Sequence, residues 1–221
     1  MCSPSSTLRD VDVRCAGYDY PSKTRTVNKN ITIMAKVYVF LADGFEDVEA
    51  LIPVDVLRRG GQEVITVSVM DDSQVVESAH GVQMVADALF DDVDLSDADL
   101  LLLPGGMPGA TNLYDHEELK EALLRHCALG KLTAAICAAP GVVLGQLGLL
   151  RGKRATCYPG FERLLGGEYT GELCTVDGNF VTAEGPAAAF PFAYKLLEIL
   201  AGEDVSRQIA TGMRYAHLMN W

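Results

Sequence analysis

The sequence predicts an α/β protein: a doubly wound, mostly parallel sheet with helices on both faces. Three observations predict it. Short apolar runs alternate with segments of helical periodicity along the chain. Runs such as Leu100–Leu103 are apolar without alternation, as strands covered on both faces are. A length of 221 residues with 49% hydrophobic and 22% charged content suffices for one core without disulfide or metal support.

The elements follow in order. Residues 36–41 (KVYVFL) read as a buried strand ended by the Asp43-Gly44 turn. Over 46–59, Val48, Leu51, Ile52, Val56 and Leu57 recur at helical spacing, Gly60-Gly61 supplies the stop, and Pro53 predicts a kink. Residues 63–69 form a second strand, and 75–85 a hairpin-like excursion through Gly81. The acidic stretch 91–99 leads into a strand of four leucines at 100–103, closed by the tight loop Pro104-Gly105-Gly106. A helix over 117–129 and a strand over 132–136 come next. Residues 132–150 hold no charge across 19 positions, enough to span a bilayer, but Pro140, Gly141, Gly145 and Gly148 interrupt them. The run divides instead into strand, sharp turn and buried helix. Strands over 154–157, 174–177 and 180–182 precede helices over 186–200 and 205–211.

The net charge of −12 argues against nucleic acid or an anionic membrane as partner, since both require clustered cations. Residues 1–34 differ in kind from the rest: they carry a net positive charge, show no sustained periodicity and contain no secretory core. They are expected to be a disordered or non-native extension, with residues 35–221 a single domain. The six cysteines form no CxxC pair and no zinc-spaced cluster, so reduced thiols in the cytoplasm are expected and no metal is.

Cys137 stands directly after a predicted strand and before a predicted helix. There a helix N-terminus favours a thiolate, and backbone N–H groups can meet a developing oxyanion. An unpaired cysteine is by itself as well explained as a small buried hydrophobe. Further residues join it in order: Ala42-Asp43-Gly44-Phe45-Glu46-Asp47-Val48-Glu49, Leu103-Pro104-Gly105-Gly106, Ala134-Ala135-Ile136-Cys137-Ala138-Ala139-Pro140 and Glu184-Gly185-Pro186.

Together these motifs resemble the ThiJ/PfpI superfamily, particularly its branch of Parkinson-disease-protein-like deglycases and glyoxalases, over roughly residues 36–210. The resemblance implies a flavodoxin-like, class I glutamine amidotransferase-like fold and a homodimer. It also implies a cysteine-dependent, cofactor-independent activity on methylglyoxal, glyoxal or their adducts. Cys137 is then the nucleophile, Glu49 its acid partner, and the N–H groups of Gly105, Gly106 and Ala138 the oxyanion site. Physically, Glu49 beside a thiolate should hold a proton and donate it to the sulfur. Where proteolytic members carry His after the cysteine, this chain has Ala138, which removes a Cys-His protease site. Tyr158 stands where some glyoxalase-type members bring a His, and Pro186 belongs to a Gly-Pro-Ala turn at the pocket rim. His80 falls where relatives place a basic residue near the dimer interface, with Arg59 as a possible cross-subunit neighbour. Cys157 is a candidate second oxidisable thiol. The alternative function is a redox-sensing stress protein that uses oxidation of Cys137 without turnover.

Overall fold

A computed structural model describes residues 34–218; the expected extension, up to residue 33, lies outside them. The chain begins with β1 (Lys36–Leu41), whose KVYVFL run is buried from Val37 onward. Helix α1 (Asp47–Arg59) follows, capped by the Glu46 side chain, which accepts the Glu49 N–H. Pro53 lies inside α1, and the helix continues through it. Next come β2 (Glu63–Ser68), the antiparallel hairpin β3 (Val75–Glu77) and β4 (Gln83–Val85), and a short β5 (Ala88–Leu89). Gly81 turns the hairpin with φ of 77°.

Two 3₁₀ turns lead into β6 (Leu100–Leu103), all four leucines fully buried. Helix α2 (Gly109–Asp115) was not expected; α3 (Glu117–Ala128) and β7 (Leu132–Ile136) were. The helix expected after Cys137 is a π-helical segment, Pro140–Gly145, wider and shorter than an α-helix. Beyond it lie β8 (Arg154–Ala155), α4 (Glu162–Leu165), β9 (Glu168–Tyr169), β10 (Cys174–Asp177) and β11 (Phe180–Ala183). A 3₁₀ turn at Pro186–Ala188 opens α5 (Ala189–Ala201), and α6 (Glu203–Gly212) and α7 (Tyr215–Leu218) complete the described chain.

The main sheet has seven strands in the order β10-β11-β7-β6-β1-β2-β5. Every pair is parallel except β10 with β11, the mostly parallel sheet that the alternating apolar runs predict. Its central strands are apolar on both faces because helices cover both. The parallel strands β1, β6, β7 and β11 all point one way, so the loops leaving their C-terminal ends converge on one edge. Those loops carry Gly44 to Glu46, Pro104 to Gly106, Cys137 and Glu184 to Pro186, the position where open α/β sheets hold their sites. Among the described residues no helix is long and apolar enough to cross a membrane.

Candidate active site

Cys137 leaves β7 in the left-handed backbone region, with φ of 64°. A non-glycine residue holds that conformation only where its surroundings impose it. Here they do so from both sides. Its N–H donates to the Ala183 carbonyl of β11 at 2.9 Å, and its carbonyl accepts the Tyr158 N–H at 2.8 Å. The elbow leaves the residue only 9% exposed.

Glu49 reaches the elbow from the first turn of α1 and is fully buried. Its Oε2 accepts the Gly105 N–H at 2.9 Å. Its Oε1 is buried with no hydrogen-bond partner among the described residues. Cys137 and Glu49 act on one another's protons, the thiol favouring the charged carboxylate and the carboxylate disfavouring the thiolate. Burial pushes the Glu49 carboxyl up to about 7, and the neighbouring Glu46 charge adds to the rise. The Cys137 thiol is also driven well above its ordinary value, first by burial and then by the Glu49 charge. The N–H groups of Gly106 and Ala138 point at the sulfur and oppose that rise. The expected bias toward a free thiolate is therefore absent while Glu49 is charged: a short π-helical segment replaces the helix, and a buried carboxylate faces the sulfur. A proton shared by the pair resolves the conflict, since protonated Glu49 removes the repulsion.

Gly105 threads between the two groups. A Cβ there would lie 2.6 Å from both Cys137 Cβ and Glu49 Oε2. Its N–H is committed to Glu49, so Gly106 and Ala138 are the two expected donors that remain directed at the reacting sulfur. Gly106 has φ of 88°, and a Cβ on it would lie 2.5 Å from the Glu46 nitrogen.

The remaining expected residues divide into near and far. The Tyr158 ring, 46% exposed, lies against Gly185; with Leu173, Glu184 and Pro186 it walls a cavity of about 190 Å³ beside the elbow. His80 Nδ1 meets Asp47 Oδ2 at 2.6 Å, and the Asp47 side chain also accepts from Ser78 Oγ at 2.7 Å. Asp47 raises the affinity of His80 for its proton through their hydrogen bond. Arg59 is not brought to the site: it pairs with Asp55 at the opposite end of α1, about 18 Å along the helix from Asp47. Cys157 is fully buried, its thiol pushed up to about 12 by burial and by Glu162 and Glu184, so it packs rather than meeting oxidants. A larger cavity, about 380 Å³, lies between Phe90 and the end of α3, near the N-terminal ends of β6 and β7 and away from this chemistry. The sequence reading missed Glu46, whose N–H also donates to the Gly105 carbonyl at 3.0 Å. Glu is not a favoured capping residue, and nothing in its spacing marks it.

Known proteins resemble this chain over most of the described residues. The DJ-1/PfpI family profile matches residues 35–199. Protein DJ-1 homolog B of Arabidopsis thaliana is 40% identical over 177 residues, which is 79% of this chain and 40% of that protein. The chain thus spans under half the length of the two Arabidopsis relatives it matches. The glutathione-independent glyoxalase DJR-1.2 of Caenorhabditis elegans is 31% identical over 167 residues, 74% of this chain and 87% of that protein. Among solved structures, oxidized Toxoplasma gondii DJ-1 is 40% identical and covers 81% of this chain and 97% of its own, with a TM-score of 0.77. With the parallel sheet and the motifs at its C-terminal edge, these matches establish that the chain belongs to the DJ-1/PfpI family.

Proposed function

We propose that the chain is a cysteine-dependent, cofactor-independent glyoxalase and deglycase acting on methylglyoxal, glyoxal or their adducts. One observation carries the reading: a fully buried carboxyl, Glu49, acts directly on a thiol held on a left-handed elbow. The worm relative named as a glutathione-independent glyoxalase supports it.

In this reaction Cys137 Sγ adds to the aldehyde carbon, and the thiol proton passes through Glu49 to the new oxygen. The Gly106 and Ala138 N–H groups face the developing charge. Glu49 then takes the proton from the former aldehyde carbon and returns it to the neighbouring carbon, while the hydroxyl proton passes from the former aldehyde oxygen to the neighbouring carbonyl oxygen. The hemithioacetal becomes a 2-hydroxy thioester, one carbon oxidised and the other reduced within the same molecule. Water cleaves the thioester and restores the thiol. Methylglyoxal plus water gives lactate, and no external oxidant or reductant enters the balance. The cavity walled by Tyr158, Leu173 and Pro186 suits the small apolar end of such a substrate.

The test is lactate formation from methylglyoxal by purified protein. Cys137→Ser should fall to background, and Glu49→Gln by at least about 100-fold; full activity in Cys137→Ser sinks the reading. A second reading, redox sensing without turnover, is favoured by the two N–H groups aimed at the sulfur, which suit a sulfinate. Mass spectrometry after mild peroxide separates the two: dioxidation confined to Cys137, with no lactate formed, supports the sensor.

The assembly proposed is a homodimer through α1. The inner side of α1 packs on α5, while Val48 and Leu51 stand outward at 39% and 41% exposure. Antiparallel pairing of two α1 helices about a two-fold axis would bring Arg59 of one copy to Asp47 and His80 of the other.

A further inference from the structure

The mechanism above uses Glu49 and Cys137 but leaves unexplained what fixes their mutual placement. Glu49 sits on α1, Cys137 on the β7 elbow, and Gly105 on the loop after β6. Glu46 joins two of these elements, α1 through its side chain and the Gly105 loop through its backbone. Glu46, half-buried, accepts the Glu49 N–H on its Oε2 at 2.9 Å, and its own N–H donates to the Gly105 carbonyl at 3.0 Å. Gly105 in turn donates to Glu49 Oε2 at 2.9 Å. The three residues close a ring of hydrogen bonds: Glu46 to Gly105 by backbone, Gly105 to Glu49 by N–H and carboxylate, Glu49 to Glu46 by N–H and carboxylate.

We propose that Glu46 is the positioning residue of this site, tying the start of α1 to the Gly105 loop so that the Glu49 carboxyl is held against the Cys137 thiol. The inference rests on the proposed pairing of Glu49 with Cys137. Glu46 occupies the N-cap of α1 and Glu49 the third helical position, so the cap bond fixes the turn from which Glu49 projects. A second consequence follows from charge. Among the described residues, the titratable groups acting on Glu49 are Glu46 from the cap and Cys137 from the elbow. A carboxylate at Glu46 therefore favours the proton on Glu49, the state in which Glu49 faces a thiolate without repelling it.

The experiment measures the iodoacetamide alkylation rate of Cys137 against pH on the full chain, quantified on the Cys137 peptide. The wild type should show a step near neutral pH as the pair loses its first proton, and Glu49→Gln should abolish it. Glu46→Gln keeps an acceptor for the Glu49 N–H but removes the charge, so the step should move down by roughly 0.5–1 pH unit. Glu46→Ala removes both, and its step should move equally while its plateau rate falls roughly fivefold below that of Glu46→Gln. Loss of one cap leaves the domain folded, which far-UV circular dichroism checks. An unmoved step in both variants, or equal plateaus in Ala and Gln, overturns the proposal while leaving the pairing intact. A wild-type profile in Glu49→Gln overturns the pairing itself, and this proposal with it.

Discussion

At Gly105 the loop after β6 passes between Glu49 and Cys137 with no room for a methyl group. Besides its two side-chain neighbours, a Cβ there would meet the Ile136 carbonyl at 2.8 Å, and backbone cannot swing aside as a side chain can. Gly105→Ala should therefore displace the carboxyl or the elbow. A shift of about 1 Å in reacting groups costs up to roughly 100-fold in rate, and overpacking of this kind about 1–3 kcal/mol in stability. Kinetics paired with urea titration check both: activity should fall by at least about tenfold while most of the protein stays folded. Wild-type turnover in Gly105→Ala would show that the loop does not set the spacing. Glycine here is a spacing device, whereas at Gly106, with φ of 88°, the backbone conformation is a second requirement.

The helix that presents Glu49 is held in place by another helix. Helix α1 lies against α5, where Phe192 is fully buried in the common core. Phe192→Ala should cost about 3–5 kcal/mol in chemical unfolding, the usual loss for a buried aromatic ring; a loss under about 1 kcal/mol would mean the face can collapse to fill the gap. The periodicity made α1 legible but did not fix its facing. Val48 and Leu51 belong to the apolar pattern yet point outward, and Ala50, Pro53, Val54 and Leu57 form the buried side with Val56. Strands β1, β6 and β7 were legible because strands covered on both faces need uninterrupted apolar runs. Helix α2 was not, since GATNLYD is built largely of poor helix formers. Tertiary bonds hold it instead: Gly109 N–H to the Gly44 carbonyl at 3.2 Å and the Asn112 amide to the Asp43 carbonyl at 2.8 Å. At the site, the motifs identified Glu49 and Cys137 as residues to bring together. Which way the Gly105 N–H points depends on backbone orientation that no spacing encodes.

Two predictions belong to the whole molecule. If α1 is the interface between two copies, Leu51→Glu places a charge in it and should convert the protein to a monomer by size-exclusion chromatography with light scattering; an unchanged mass would place the interface elsewhere. The other concerns stability and pH. Glu49 is raised from 4.5 to about 7 in the fold, so between those values the folded protein keeps a proton that the unfolded chain has released. Its stabilisation is complete below its unfolded value and is lost as pH rises through the folded one. Unfolding free energy from this group should thus fall between about pH 4.5 and 7 and level off above, by at most about 3 kcal/mol. Other groups titrate nearby. His80, raised by Asp47, adds a loss of the same sign, while His126, lowered by burial, opposes it. Asp47 and Asp87 are lowered, so their contributions are lost only on acidification below the ordinary carboxylate range. Glu49→Gln leaves all of these in place, so the difference between the two urea-stability curves isolates Glu49. Glu49→Gln should gain on the wild type steadily from pH 5 to pH 7 and hold that gain above it, since its amide has no charge to bury. Parallel curves across that range would mean that Glu49 releases its proton in the folded protein as readily as in water, and the shared proton on which the proposed chemistry depends would be lost with it.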